Sequence, residues 1–297
     1  MKQKIFPVLK WIWIVAVAVF IFFILKNYHT ELKEAAAQIH ASYFLLSFAC
    51  IFLAKIMLAM FMRYVLHSVE KDLSFSACFN IYNLSQLGKY LPGNIWHFVG
   101  KAAAYKKNGF SLGNIRDALF IENIWLVVSA LIYGLVLITL FNFIFVQQLL
   151  ISYYKYVLIF LFITPIIIFI TNKVLRVNLN LIFTDSRLCL KIIVLQIFIW
   201  SLLGMGFAVP AIPFLPEDTG IFMIVGLYAI AYSIGFVTPF APAGIGVREG
   251  VLALGLLPYM SLDVLVLVSV VNRAIYIIVE LFLALISQTV TTAKNRE

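Results

Sequence analysis

The sequence predicts an all-α integral membrane protein, a polytopic bundle of about seven or eight transmembrane helices with one or two broken or re-entrant segments. Three observations predict it. Of the 297 residues, 64% are hydrophobic and 12% charged, where soluble chains hold roughly 45–50% apolar and about 25% charged residues. The apolar residues gather in runs of about 18 or more, the length at which a helix crosses a hydrocarbon core of about 30 Å. Runs such as residues 156–170 are apolar on every face, which is unlike the period-two alternation of a transmembrane barrel.

The elements follow in order. Residues 8–26 form the first expected span, preceded by Lys2 and Lys4. The segment is similar to a signal peptide, but Lys26, Asn27, Tyr28 and His29 stand where a small-residue cleavage site belongs, so it reads as an uncleaved anchor. Further spans are expected at 41–62, 118–145, 155–172, 190–212, 220–238 and 263–288. Two stretches, 74–100 and 238–258, are moderately apolar yet carry Pro, Gly, Asn and charged residues at their centres. Broken backbone cannot face lipid, because each unpaired N–H or C=O there costs several kcal/mol. Both stretches are therefore expected inside protein or along a wet cavity.

The formal net charge is +9, and its basic residues flank or interrupt apolar runs. The positive-inside rule accounts for most of the excess and argues against a nucleic-acid partner. It places the N-terminus, the region 63–116 and the loop 173–191 in the cytoplasm, and the loops 142–154 and 213–220, the latter with Glu217 and Asp218, outside. The expected location is the cytoplasmic membrane. Under this rule 74–100 enters and leaves on the cytoplasmic side; 238–258 either re-enters, which puts Lys294 and Arg296 outside, or crosses as a broken span that keeps them inside, the reading the rule favours. Residues 1–297 read as one transmembrane domain with no soluble domain. No repeat is evident by identity, although broken segments in opposite halves are what a diverged duplication leaves.

Two motifs concentrate the polar residues. The first, LGKYLPGNIWHFVGK at 87–101, combines Gly88, Gly93 and Gly100 with Pro92, which interrupts a helix. A turn at that depth presents free backbone N–H groups, and a half-helix beginning near Asn94 adds its positive end. With Lys89, His97 and Lys101 alongside, the segment suits a phosphate or another anionic headgroup. The second, TPFAPAGIGVREG at 238–250, has Pro239 and Pro242 to stop a helix and Gly244 and Gly246 to turn the chain. Arg248 and Glu249 then enter a new apolar run, which is costly unless they are paired or wet.

Both motifs, in this order and separation, resemble the flippase-like membrane domain of the lysylphosphatidylglycerol synthetase family. The resemblance covers essentially the whole chain. It implies a membrane domain that moves a lipid across the bilayer; full-length relatives join it to a soluble aminoacyl-transfer domain, and this chain is similar to the stand-alone members. Arg63 before Tyr64 matches an Arg-aromatic pair of the family, Glu122 an acidic position and Arg273 a basic one. Asn123 departs from the Arg that commonly follows the acidic residue, so a Glu–Arg pair is not expected there.

Further polar residues fall inside spans: Lys55, Glu122, Arg273 and Glu280. An ion at the bilayer centre costs at least about 2.5–3.5 kcal/mol, so these side chains are expected to face one another or a cavity. Lys55 and Glu122 are candidates for an interhelical salt bridge, while Arg273 and Glu280 line one face of a helix. The histidines, His29, His40, His67 and His97, lack ligand spacing, so neither a metal nor a cofactor is expected. Cys50, Cys78 and Cys189 read as packing residues, and the aromatic residues as interface belts and lipid-facing packing.

The expected function is translocation of a phospholipid or a polyprenyl-phosphate-linked sugar rather than an enzymatic reaction. Lys89, Lys101, Arg248 and Arg273 would bind the anion, with Glu122 and Glu249 balancing charge. Two other classes compete: a membrane-embedded transferase acting on a lipid phosphate, and a non-catalytic partner of envelope-biosynthesis enzymes. A transferase needs a base and commonly a metal-binding acidic cluster. The Glu217–Asp218 pair is expected on the wrong side for a cytosolic donor.

Overall fold

The structure is a computed structural model that describes residues 37–69, 72–90, 95–141, 185–217, 219–238 and 241–294. The expected spans 8–26 and 155–172, the loop 142–154, and Pro92, Gly93, Asn94, Asp218 and Pro239 lie outside these residues. Eight α-helices are present among the described residues: α1 (Ala41–Ser68), α2 (Phe75–Gln86), α3 (Trp96–Lys107), α4 (Leu112–Phe141), α5 (Ser186–Ala211), α6 (Ile221–Val237), α7 (Val247–Leu256) and α8 (Leu262–Lys294). The fold is all-α, without strands among the described residues. Helices α1, α4, α5 and α8 are each long and apolar enough to cross a membrane. At about 1.5 Å per residue, the 17 residues of α6 reach about 26 Å, short of a hydrocarbon core.

Local sequence accounts for several helix starts. Ser74 Oγ accepts the Ala77 N–H at the head of α2, and an Asp185 carboxylate oxygen accepts the Arg187 N–H at the head of α5. Ser111 Oγ accepts the Asn114 N–H, so α4 begins six residues before the expected position 118. The bundle has its polarity reversed relative to a soluble protein. Leu45, Ile132, Leu140, Leu190 and Leu285 are exposed, while Lys55, Lys101, Glu122 and Glu280 are buried. An apolar exterior around buried charges is what a lipid surrounding requires.

Small residues allow the closest helix contacts. A Cβ on Gly134 of α4 would stand 2.5 Å from the Gly226 carbonyl oxygen of α6, and one on Gly226 would stand 2.9 Å from that of Gly134. The two helices run antiparallel: Ser233 bonds to the Val127 carbonyl at one end, and Phe222 stacks on Phe141 at the other. Helices α1 and α5 are also antiparallel. Ser47, early in α1, donates to the carbonyl of Gly206, late in α5, while Met57 and Tyr64 share a groove with Leu190 and Phe198.

The order long helix, short helix, tip, short helix, long helix occurs twice, as α1–α4 and α5–α8. The packing repeats as well. Helix α4 lies on α6 as α8 lies on α2, and α4 meets α5 as α8 meets α1, with the antiparallel α1–α5 pair at the centre. These are two structurally similar, inverted units, the arrangement a diverged duplication leaves.

Each unit folds its short helices into a hairpin. In the first, Gly88 lies against Trp96 and His97, and Gly100 against Ser85. In the second, Gly235 lies against Arg248, and Gly255 against Leu227. The stretch 238–258 is thus a hairpin that returns along α6, not the broken crossing expected from the sequence. The reversal is local: Ala243, Gly244 and Gly246 all adopt positive φ, at 50°, 70° and 83°, a region that glycine enters without steric cost.

Candidate functional site

The two hairpin tips meet. The turn Leu87–Tyr90 of the first touches the turn Pro242–Gly244 of the second, and both adjoin a cavity of about 380 Å³. Gly88 is fixed at the first tip by contact: a Cβ there would stand 2.7 Å from the His97 nitrogen and 2.8 Å from the Trp96 carbonyl carbon. This close approach holds Lys89, Tyr90 and His97 together at the tip, where all three line the cavity.

Charged side chains from five helices and the first tip converge on the cavity. Glu280 of α8 is paired with Lys55 of α1 and, at 2.5 Å, with Lys89 of the tip, while its second oxygen accepts the Tyr90 hydroxyl at 2.7 Å. Lys101 of α3 is paired with Glu122 of α4. Arg273 of α8 donates through Nε to Glu249 of α7 at 2.8 Å, and the other Glu249 oxygen accepts the Gly246 N–H at 2.7 Å. The Lys101–Glu122 and Glu249–Arg273 pairs join equivalent helices of the two units with their charges reversed.

Arg248 differs from the other four cations. Its stem lies between Gly235 and Gly244, and its guanidinium stands 5.0 Å from the Tyr228 ring centroid and 5.1 Å from that of Tyr232. Such ring contacts stabilise a cation without neutralising it. Among the described residues no carboxylate pairs with Arg248.

Of the site residues expected from sequence, Lys89, His97, Lys101, Glu122, Arg248 and Arg273 line the cavity, and Glu249 adjoins it through Arg273. Asn94 falls outside the described residues. Asn123 lines the wall but bonds to the Leu119 carbonyl within its own helix. Lys55 and Glu122 do not pair with each other: Lys55 selects Glu280 and Glu122 selects Lys101. The tip brings Lys89 to Glu280, and the hairpin brings Glu249 to Arg273.

The sequence reading missed the tyrosines. Tyr82, Tyr90, Tyr232 and Tyr276 line the cavity instead of forming belts. Tyr276 lies beneath both lysines held by Glu280, at 4.2 Å from Lys55 Nζ and 4.9 Å from Lys89 Nζ, and Tyr82 lies 4.8 Å from Lys101 Nζ. Spacing carried a signal for them. Tyr276 and Glu280, like Tyr228 and Tyr232, are four residues apart and share a helix face.

The family pattern described as the lysylphosphatidylglycerol synthase TM region matches residues 11–284. No curated protein matches the chain.

Proposed function

This chain belongs to the lysylphosphatidylglycerol synthase transmembrane-region family, a group of lipid-related membrane domains, and from that premise we propose that it is a translocase for a lipid with an anionic headgroup. The carrying observation is the meeting of two hairpin tips beside a cavity lined by Lys55, Lys89, Lys101, Arg248 and Arg273. Cations buried among apolar helices are costly without a partner, and an anionic headgroup supplies one. The acyl or prenyl chains would remain among the exposed apolar side chains of the bundle.

The inverted units support an alternating mechanism. With the acidic loop 213–220 outside by the charge rule, the α6–α7 hairpin enters from outside and the α2–α3 hairpin from the cytoplasm. Helix α8 then runs inward and ends at Lys294 on the cytoplasmic side. Opposed hairpins whose tips share one cavity can open it to either leaflet as one unit moves against the other. Lys89 is placed to exchange its bond with Glu280 for one with the headgroup, which would couple occupancy to release of the first tip. The lipid crosses chemically unchanged.

The test is movement of labelled phospholipids and polyprenyl phosphates across vesicles containing the purified protein. At least one anionic lipid should cross about tenfold faster than in protein-free vesicles. No acceleration for any member of a broad lipid panel would overturn the reading.

A further inference from the structure

We propose that the headgroup carried by this cavity is a doubly ionised lipid phosphate, not a singly charged phosphodiester and not an aminoacylated lipid. The inference deepens the translocase reading and rests on it. With every group ionised, five cations line the cavity and three carboxylates, Glu122, Glu249 and Glu280, pair with four of them. The balance is an excess of two positive charges. In surroundings this apolar, an excess of that size calls for an anion of matching charge, because an uncompensated buried ion is strongly destabilising.

Placement sharpens the count. Arg248, the cation without a carboxylate among the described residues, faces the cavity beside the second tip. A guanidinium is the side chain suited to two-point binding of phosphate oxygens. At the first tip Lys89 shares Glu280 with Lys55, so one carboxylate serves two ammonium groups. The two unmatched charges therefore lie at the two tips, on either side of one space. His97, which lines the same wall, keeps a buried ring nitrogen, Nδ1, without a hydrogen-bond partner.

Charge and volume together exclude the competing headgroups. A phosphodiester brings a single negative charge and leaves one cation unmatched. An aminoacyl ester adds ammonium groups to a cavity that already holds an excess of cations, and the carboxylates that would receive them are engaged by Lys55, Lys89, Lys101 and Arg273. The volume of about 380 Å³ stands near the lower end of ligand cavities, roughly 300–1,000 Å³, which suits a phosphate with little attached to it.

The test measures binding to the purified full chain with four probes: dioctanoyl phosphatidate, dioctanoyl phosphatidylglycerol, its lysyl ester and inorganic phosphate, at a pH where phosphatidate is doubly ionised. Phosphatidate should bind about tenfold or more tightly than the other three. Arg248→Gln should reduce that preference to about threefold or less, and Arg248→Lys, which keeps the charge and loses the two-point geometry, should fall between Arg248→Gln and the parent, with folding of each variant checked by its melting transition. Equal binding of phosphatidylglycerol or its lysyl ester would overturn the proposal. So would equal binding of inorganic phosphate, which would make the ligand a free anion instead of a lipid, or a folded Arg248→Gln protein with unaltered preference. Lipid movement in vesicles separates the two claims. Transport of phosphatidylglycerol as fast as phosphatidate removes this inference and leaves the translocase, whereas selective binding without transport removes the translocase and leaves the headgroup assignment.

Discussion

Lys89, at the tip of the first hairpin, and Glu280, near the middle of α8, form an ion pair of 2.5 Å across 191 positions of sequence. The same carboxylate is paired with Lys55, 225 positions away. One side chain thus ties a long helix, a second long helix and a hairpin tip together at the cavity wall. The consequences can be measured.

Removing that carboxylate should be expensive. Lys55 and Glu280 are 2% and 1% exposed, and breaking a buried pair from one side costs about 3–5 kcal/mol. Glu280→Gln should therefore lower the melting transition in detergent sharply. The double variant Lys55→Met with Glu280→Gln should recover part of the loss, because the deepest cation is then also gone. A Glu280→Gln protein as stable as the parent would show that the pair is not formed.

The two equivalent ion pairs should respond unequally. Lys101 and Glu122 are 5% and 7% exposed, whereas Arg273 and Glu249 are 28% and 25% exposed. Lys101→Met should cost about 3 kcal/mol or more. Arg273→Met should cost on the order of 1 kcal/mol in stability, and its larger effect should be on lipid movement, since Arg273 lines the cavity. Paired denaturation and transport measurements on the two variants check both halves.

Gly235→Ala tests the seat of Arg248. A Cβ at that position overlaps the Arg248 stem, so the side chain or α7 must move. The expected outcome is a loss of about 1–3 kcal/mol together with reduced transport. Gly250→Ala is the control in the same hairpin. Nothing lies within 4 Å of a Cβ there, and replacing a helical glycine with alanine should stabilise by about 0.5–1 kcal/mol with transport unchanged.

Contact between α1 and α5 should be sensitive to size. A Cβ on Gly206 would stand 2.6 Å from Ile51 Cγ1, and Ser47 donates to the Gly206 carbonyl across the same seam. Gly206→Leu should separate the two units and abolish a cooperative melt, while Ser47→Ala should cost about 1 kcal/mol. Thermal unfolding of both variants distinguishes a packed seam from a loose one.

Much of the site was legible in part. Pro92, Gly93, Pro239, Pro242, Gly244 and Gly246 mark the breaks in the sequence, and the buried charges mark which helices must face inward. Hydropathy did not separate a broken crossing from a hairpin at 238–258, since both use the same apolar residues and differ only in backbone direction at Ala243, Gly244 and Gly246. Nor did composition distinguish Tyr276, beneath two lysines, from a tyrosine at a membrane interface, because both place an amphipathic ring at a polar boundary. The repeat lies in the order and packing of the helices, which residue identity does not report; even the ion pairs between equivalent helices carry reversed charges, Lys101 with Glu122 in one unit and Glu249 with Arg273 in the other.

The sequence by itself determined that this chain is a helical membrane protein of a lipid-related family, and where its backbone is interrupted. The helices and their interruptions follow from hydropathy, proline and glycine, which act over about 10–20 residues, while the lipid-related family rests on the resemblance of the two motifs. Only the tertiary structure decided which charges meet. Ion pairing in an apolar interior depends on distances of a few ångströms between residues that the chain separates by 191 or 225 positions. That same folding leaves Arg248 beside the cavity without a carboxylate among the described residues.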